Sequence, residues 1–172
     1  MIARPQADEY APYYGQYIRR VPDGADIFTV LSGQPDELRA LLASVSDERA
    51  NLRPAPGEWS IKEVVGHVCD AERIFAYRAL RVARGDTTPL PGFEQDDYVR
   101  ATDLNVRSLP DLIEEFVLQR RANVLCFQPL TEAESQRRGT ASSNPVSVRA
   151  LLFMMAGHVM HHIESLKTDH KV

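Results

Sequence analysis

Four of the five histidines in this 172-residue chain fall in two places, His67 and the run His158-Val-Met-His161-His162. Neutral imidazole is the commonest side-chain ligand for borderline divalent metals, and three protein ligands with an open position mark catalytic rather than closed structural sites. On a helix turning 100° per residue, Val148, Leu151, Leu152, Met155, Val159, Ile163 and Leu166 centre one apolar stripe. His162 lies about 40° and His158 about 80° from that centre, whereas His161 lies about 140° away. His158 and His162 therefore face inward one turn apart, as a pair able to bite one ion, and His161 points elsewhere. Zinc peptidases use this spacing in HExxH, but Val159 stands where their Glu would be, so peptidase chemistry of that kind is not expected.

His67 sits on a second helix, at the edge of its apolar stripe near Val64 and Ile74. Any one of these rings alone reads first as a hydrogen-bonded core histidine. An inward pair plus a third ring on another helix brings metal ligation level with that reading. Glu72 falls near the middle of the same stripe as His67, where a carboxylate is costly unless paired. It has two candidate roles there: a catalytic one, orienting a ligand imidazole or accepting a proton, and a structural one, an ion pair with Arg78 or Arg120.

Four helices must position these groups. The first is expected from Pro35, a good first-turn residue, through Leu38, Leu41, Leu42 and Val45, with Ile27–Leu31 as a separate short helix stopped by Ser32-Gly33. The second opens at Ser60 and Glu63, a capping box, and ends at Gly85. The third begins at Ser108-Leu-Pro110-Asp111 and runs to Pro129, and the fourth runs from Ser147 to about Thr168. Residues 86–107 and 131–145 read as loops, and no stretch alternates as a strand or carries an Asn-Gly hairpin turn. Residues 1–24, with four tyrosines and no sustained period, read as an irregular N-terminal arm, and residues 25–172 as a single all-α four-helix-bundle domain.

The rest of the composition mainly excludes. A net charge of −4 with interleaved signs offers no basic stripe for nucleic acid. The apolar run around residues 150–156 is too short to span a bilayer, and the N-terminus lacks the apolar core of a signal peptide. Cys69 and Cys126 have no metal spacing and read as small core residues, which fits a reduced, cytoplasmic protein.

The stretch from Arg53 to Arg73, with Trp59-Ser60, His67, Asp70 and Glu72, resembles the DinB/YfiT-like superfamily, whose second helix opens on a Trp-Ser pair and places a ligand His about eight residues later. Gly157-His158-Val-Met-His161-His162-Ile163 resembles the same family's second ligand block. The resemblance covers about residues 35–168 and implies an up-down-down-up bundle, with one divalent transition metal, zinc or nickel, held by His67, His158 and His162. Trp59 matches the family's core Trp and is structural. The activity it implies, and the first reading, is thiol S-transfer, with bacillithiol or mycothiol as the small thiol partner attacking an electrophile. Metal-dependent hydrolysis, in which the same site activates water and Glu72 or another carboxylate accepts its proton, is the second. A non-catalytic metal-binding protein of the stress response is the third reading. The family name implies no DNA binding, and a homodimer is left open.

Overall fold

Each long helix begins where a side chain can satisfy its free amides. The computed structural model describes residues 2–172. In chain order its helices are Gly15–Ile18 (α1), Ile27–Leu42 (α2), Asp47–Ala50 (α3), Ile61–Ala83 (α4), Gln95–Ala101 (α5), Leu109–Phe127 (α6), Glu132–Ser135 (α7) and Val148–Thr168 (α8). A hairpin of Arg138–Ala141 (β1) and Asn144–Ser147 (β2) precedes α8. Asp26, Ser60, Ser108 and Ser147 accept hydrogen bonds from the amides of Thr29, Glu63, Asp111 and Ala150, capping the four long helices. Glu63 completes the expected box by accepting from the Ser60 amide at 2.7 Å.

Side-chain pairs fix the helix directions. Arg39 meets Glu114, and Arg120 reaches the Leu31 carbonyl, so α2 and α6 are antiparallel. Cys69 lies against the Leu112 carbonyl and Glu72 against Asn123, so α4 and α6 run the same way. His67 meets His158 and His162, whereas Val82 and Ala83 meet Val148, so α4 and α8 are antiparallel. The result is the up-down-down-up bundle, with α4 packed on α6 and α8, and α2 packed on the same two from the far side. Because α4 and α6 are parallel neighbours, the chain between them must travel the length of the bundle, roughly 35 Å for a helix of α4's 23 residues. It does so through Leu90, which pairs with the hairpin at Ala141, then α5, then Leu104, which packs on Gly66.

Beside a small cluster of Val82, Ala83 and Val148, the core has two large apolar compartments. One gathers Ile27, Leu31, Phe75, Leu151 and Met155, and the other Leu38, Val65, Leu112, Phe116 and Ile163. The buried polar residues Gln34, Glu72 and Arg120 tie α2, α4 and α6 together, and Gln34 and Arg120 also donate to the Ala156 and Met155 carbonyls of α8.

Several local expectations need correction. Pro35 does not start a helix but lies within α2, which runs unbroken from Ile27. A proline in a helix leaves the carbonyl four residues earlier without its amide partner. Here that carbonyl belongs to Leu31, and Arg120 Nη1 donates to it at 3.4 Å. Residues 131–145 are not a plain loop: they hold α7, started by a Thr131–Glu134 capping box, and most of the hairpin. Its turn residues are Ser142 and Ser143, with φ of 50° and 62°, doing the work usually given to Asn-Gly. Residues 86–107 contain α5 and a short turn at Leu104–Val106. Cys126 is exposed rather than core, while Cys69 is buried, and both are free thiols. Within the segment read as an arm, Ile2, Tyr17, Ile18 and Val21 are buried.

Candidate metal centre

His67 is carried by α4, and His158 and His162 by successive turns of α8. Each of the two helices presents its first histidine beside a glycine, where another segment closes on the helix. A Cβ at Gly66 would lie 2.5 Å from Leu104, and one at Gly157 would lie 1.9 Å from the Tyr17 carbonyl oxygen. The backbone gaps left by those two glycines let the crossover and the N-terminal segment reach the rings.

The three imidazoles converge. His158 Nε2 lies 3.0 Å from His67 Nε2 and 3.1 Å from His162 Nε2, and the three potential ligand nitrogens lie within 4.8 Å of one another. Two ligands at about 2.0–2.1 Å from one ion stand roughly 2.9–3.4 Å apart for angles between octahedral and tetrahedral, so this spacing fits. Hydrogen bonding does not account for it. The Nε2 of His158 carries either one proton or one lone pair, and neither can satisfy two partners at once. A cation satisfies all three lone pairs together. Burial holds the rings in the unprotonated form this requires: His67 is depressed to about 4 by burial, which outweighs the opposing pull of Asp96. His158 and His162 lie well below the ordinary histidine range, again chiefly through burial. The donor set suits a divalent metal.

His161 points away, as its helical phase requires, with Nδ1 3.2 Å from the Arg20 guanidinium. Trp59 stacks obliquely on His67 with ring centroids 4.8 Å apart, and Tyr17 and Phe75 set their edges to His158 at 5.3 and 5.7 Å. Glu72 makes no hydrogen bond to any of the three rings. Arg120 holds both its oxygens at 2.8 Å, and Asn123 adds a third bond at 2.8 Å. The same guanidinium donates to Gln34 and to the Met155 carbonyl. Arg78, the other arginine in reach of Glu72's face of the helix by sequence, instead donates to the Pro91 carbonyl and to Ser142.

Two cavities flank the triad. One, of about 280 Å³, is lined by His67 and His158 and by aromatic rings; the other, of about 290 Å³, by His162, Trp59 and Glu58. Gln95 and Asp96, from the crossover, line both. Nothing in the chain's patterning singles out Asp96. It lies in an exposed acidic run with no period to show which way it faces, and only the crossover's path brings it to the site.

The fold and site are those of a four-helix bundle with three imidazoles placed as a metal's donor set, and the chain belongs to the DinB superfamily, whose family model matches residues 31–166. The chain is similar to a protein of Geobacillus thermodenitrificans (strain NG80-2) named "Putative metal-dependent hydrolase", with 28% identity over 160 residues, 88% of this chain and 86% of that one. A protein of Oceanobacillus iheyensis with the same description is 24% identical over 125 residues, 72% of each chain. Among solved structures the fold matches YfiT from Bacillus subtilis, described as a probable metal-dependent hydrolase with an unusual four-helix bundle topology. That match has a TM-score of 0.70 at 15% identity, over 94% of this chain and 88% of YfiT. Among the described residues, no helix is long and apolar enough to cross a membrane.

Proposed function

We propose that this protein is a metal-dependent hydrolase of a small amide or ester, with His67, His158 and His162 holding one divalent ion, zinc or nickel. The observation that carries this reading is the convergence of three unprotonated imidazoles beside cavities that a carboxylate, Asp96, also lines. A divalent cation there supplies Lewis acidity toward a carbonyl and lowers the pKa of water. The chain's own groups do the rest. The aromatic wall excludes bulk water from one side of the carbonyl. The Asp96 carboxylate, exposed on the crossover, accepts a proton from the attacking water at an Oδ atom. The acyl bond to nitrogen or oxygen breaks, the hydroxyl remains on the carbonyl carbon, and Asp96 returns the proton to the departing atom. Glu72, with both oxygens occupied by Arg120, serves as an anchor of the bundle rather than as the base.

Thiol S-transfer uses the same three ligands, and one assay separates the two readings. Protein reconstituted with zinc or nickel is offered aryl esters and anilides, with and without bacillithiol. Cleavage without thiol that disappears in His67→Ala and falls strongly in Asp96→Asn supports the hydrolase. Conjugation that needs the thiol, with no cleavage in its absence, assigns the transferase instead.

A further inference from the structure

The cavity on the His67–His158 side is not a generic cleft. Of the twelve Phe and Tyr residues in the chain, six of each, five meet there: Tyr13, Tyr14, Tyr17, Phe75 and Phe93. Tyr13 packs edge to face on Tyr14 at 79°, Tyr14 on Phe75 at 81°, and Phe75 on His158 at 81°, while Phe93 tilts against Tyr98. Such an array offers both ring edges and ring faces, the surface on which a further aromatic ring gains most. Its volume of about 280 Å³ is close to the lower bound of about 300 Å³ for ligand pockets in general, which sets the guest at about one ring with a short substituent.

The charge around it is one-sided. Glu94 and Asp96 line this cavity, Glu58, Asp96 and Asp169 line its neighbour, and no Lys or Arg lines either. An anionic group on the guest's ring, away from the ion, would find no cationic side chain lining the cavity, the Arg78 guanidinium lying over the Phe93 ring at 6.0 Å, and would face two carboxylates. Phe93, Glu94 and Asp96 all come from the crossover, so one segment carries part of the aromatic wall and both of the cavity's acidic groups.

We propose that this cavity is an acyl-group subsite selecting a compact, uncharged aryl ring, so that the substrate is an aroyl or arylacetyl amide or ester without anionic substituents on the ring. The proposal rests on the hydrolase reading for the carbonyl's place beside the triad. The ring enters past Tyr13, which is 60% exposed, and comes to rest between Phe75 and Phe93. The departing group lies toward the second cavity.

Binding tests this without turnover. Zinc-loaded protein is titrated by calorimetry with acetohydroxamate, benzohydroxamate and 4-carboxybenzohydroxamate, whose common head group ligates metal. Benzohydroxamate should bind about tenfold tighter than acetohydroxamate, and the 4-carboxy compound should lose that gain. Phe93→Ala and, separately, Tyr13→Ala should weaken benzohydroxamate by about three- to tenfold while leaving acetohydroxamate unchanged. Both positions lie outside the buried core, so loss of fold does not confuse the result. Equal affinity for the methyl and phenyl compounds, or indifference to both variants, overturns the aryl subsite while leaving the metal reading intact. Failure of all three compounds to bind the zinc-loaded protein removes the open metal position itself, and the subsite falls with it.

Discussion

The carbonyl oxygen of Tyr17 occupies the place where a side chain at Gly157 would begin, 1.9 Å from the ideal Cβ position. The contact is backbone against backbone, so no rotamer change can relieve it. It seats the N-terminal segment on α8 one residue before His158, and it brings the Tyr17 ring edge to that histidine.

Gly157→Ala should therefore push the segment off the bundle. We expect a loss of about 1–3 kcal/mol in urea unfolding, typical of overpacking, together with new protease cleavage within residues 1–24. The α8 backbone at residues 158–162 stays helical, so metal content should fall less than in a ligand variant. Unchanged stability and an intact protease pattern would contradict this account of the glycine.

Metal content should follow the geometry of the rings. His67→Ala, His158→Ala and His162→Ala should each leave less than about a tenth of the metal of the parent protein by elemental analysis, while His161→Ala should retain nearly all of it. A His161 variant that loses the ion would place the wrong ring in the site.

Chelation should lower the melting temperature and leave a cooperative helical unfolding transition. The two apolar compartments meet the needs of the fold without a staple, and binding adds stability only in proportion to ligand affinity. Loss of the helical circular dichroism signal at 25 °C on chelation would instead make the site a folding element.

The Glu72–Arg120 pair should behave as a buried ion pair whose halves depend on each other. Arg120→Met strands the carboxylate of Glu72, 2% exposed, and should cost about 3–5 kcal/mol. Adding Glu72→Leu should recover a large part of that loss. Equal and additive losses in the two single variants and their sum would mean that the pair is not coupled.

Acid should undock the N-terminal segment through Glu9. Burial alone would raise this carboxyl, but hydrogen bonds from Arg149, Ser147 and the Gln6 amide outweigh it and hold the pKa at about 2, against an ordinary 4.5. Because the folded value is the lower one, the contribution is complete above about pH 5 and is lost as pH falls toward 2, with an upper bound of about 3 kcal/mol. The stability difference between the parent protein and Glu9→Gln should accordingly be flat from pH 5 to 8 and shrink below pH 4. A difference that grows on acidification would reverse the sign and refute it.

Much of this was legible in the chain. Helix starts at Ser60, Ser108 and Ser147 could be read because a capping residue leaves a local signature. The facing of His158, His161 and His162 could be read because a helix converts spacing into direction. Pro35 misled because its cost is met by Arg120, a residue 85 positions away, through a carbonyl no local rule would connect to it. The hairpin was missed because serines take the left-handed turn positions and its strands are only four residues long. Asp96 and the aromatic wall were missed for a common reason: they depend on where a crossover and an N-terminal segment come to lie, and neither path is written in a period.

The parallel alignment of α4 and α6 has a consequence beyond packing. In a bundle of alternating helices, connections are tight turns at the ends, remote from a site in the middle. Here topology obliges one connection to run past the imidazoles, and that connection supplies Phe93, Glu94, Gln95 and Asp96. The three imidazoles sit on rigid helices, whereas both acidic groups of the first cavity and one of its five rings sit on the crossover. Such a division would let substitutions at residues 93–96 exchange one guest for another while Leu90 and Leu104 keep the crossover docked and the imidazoles in place. Within a superfamily built this way, relatives should keep a common metal chemistry while diverging in what they act upon, and the crossover is where that divergence should be sought.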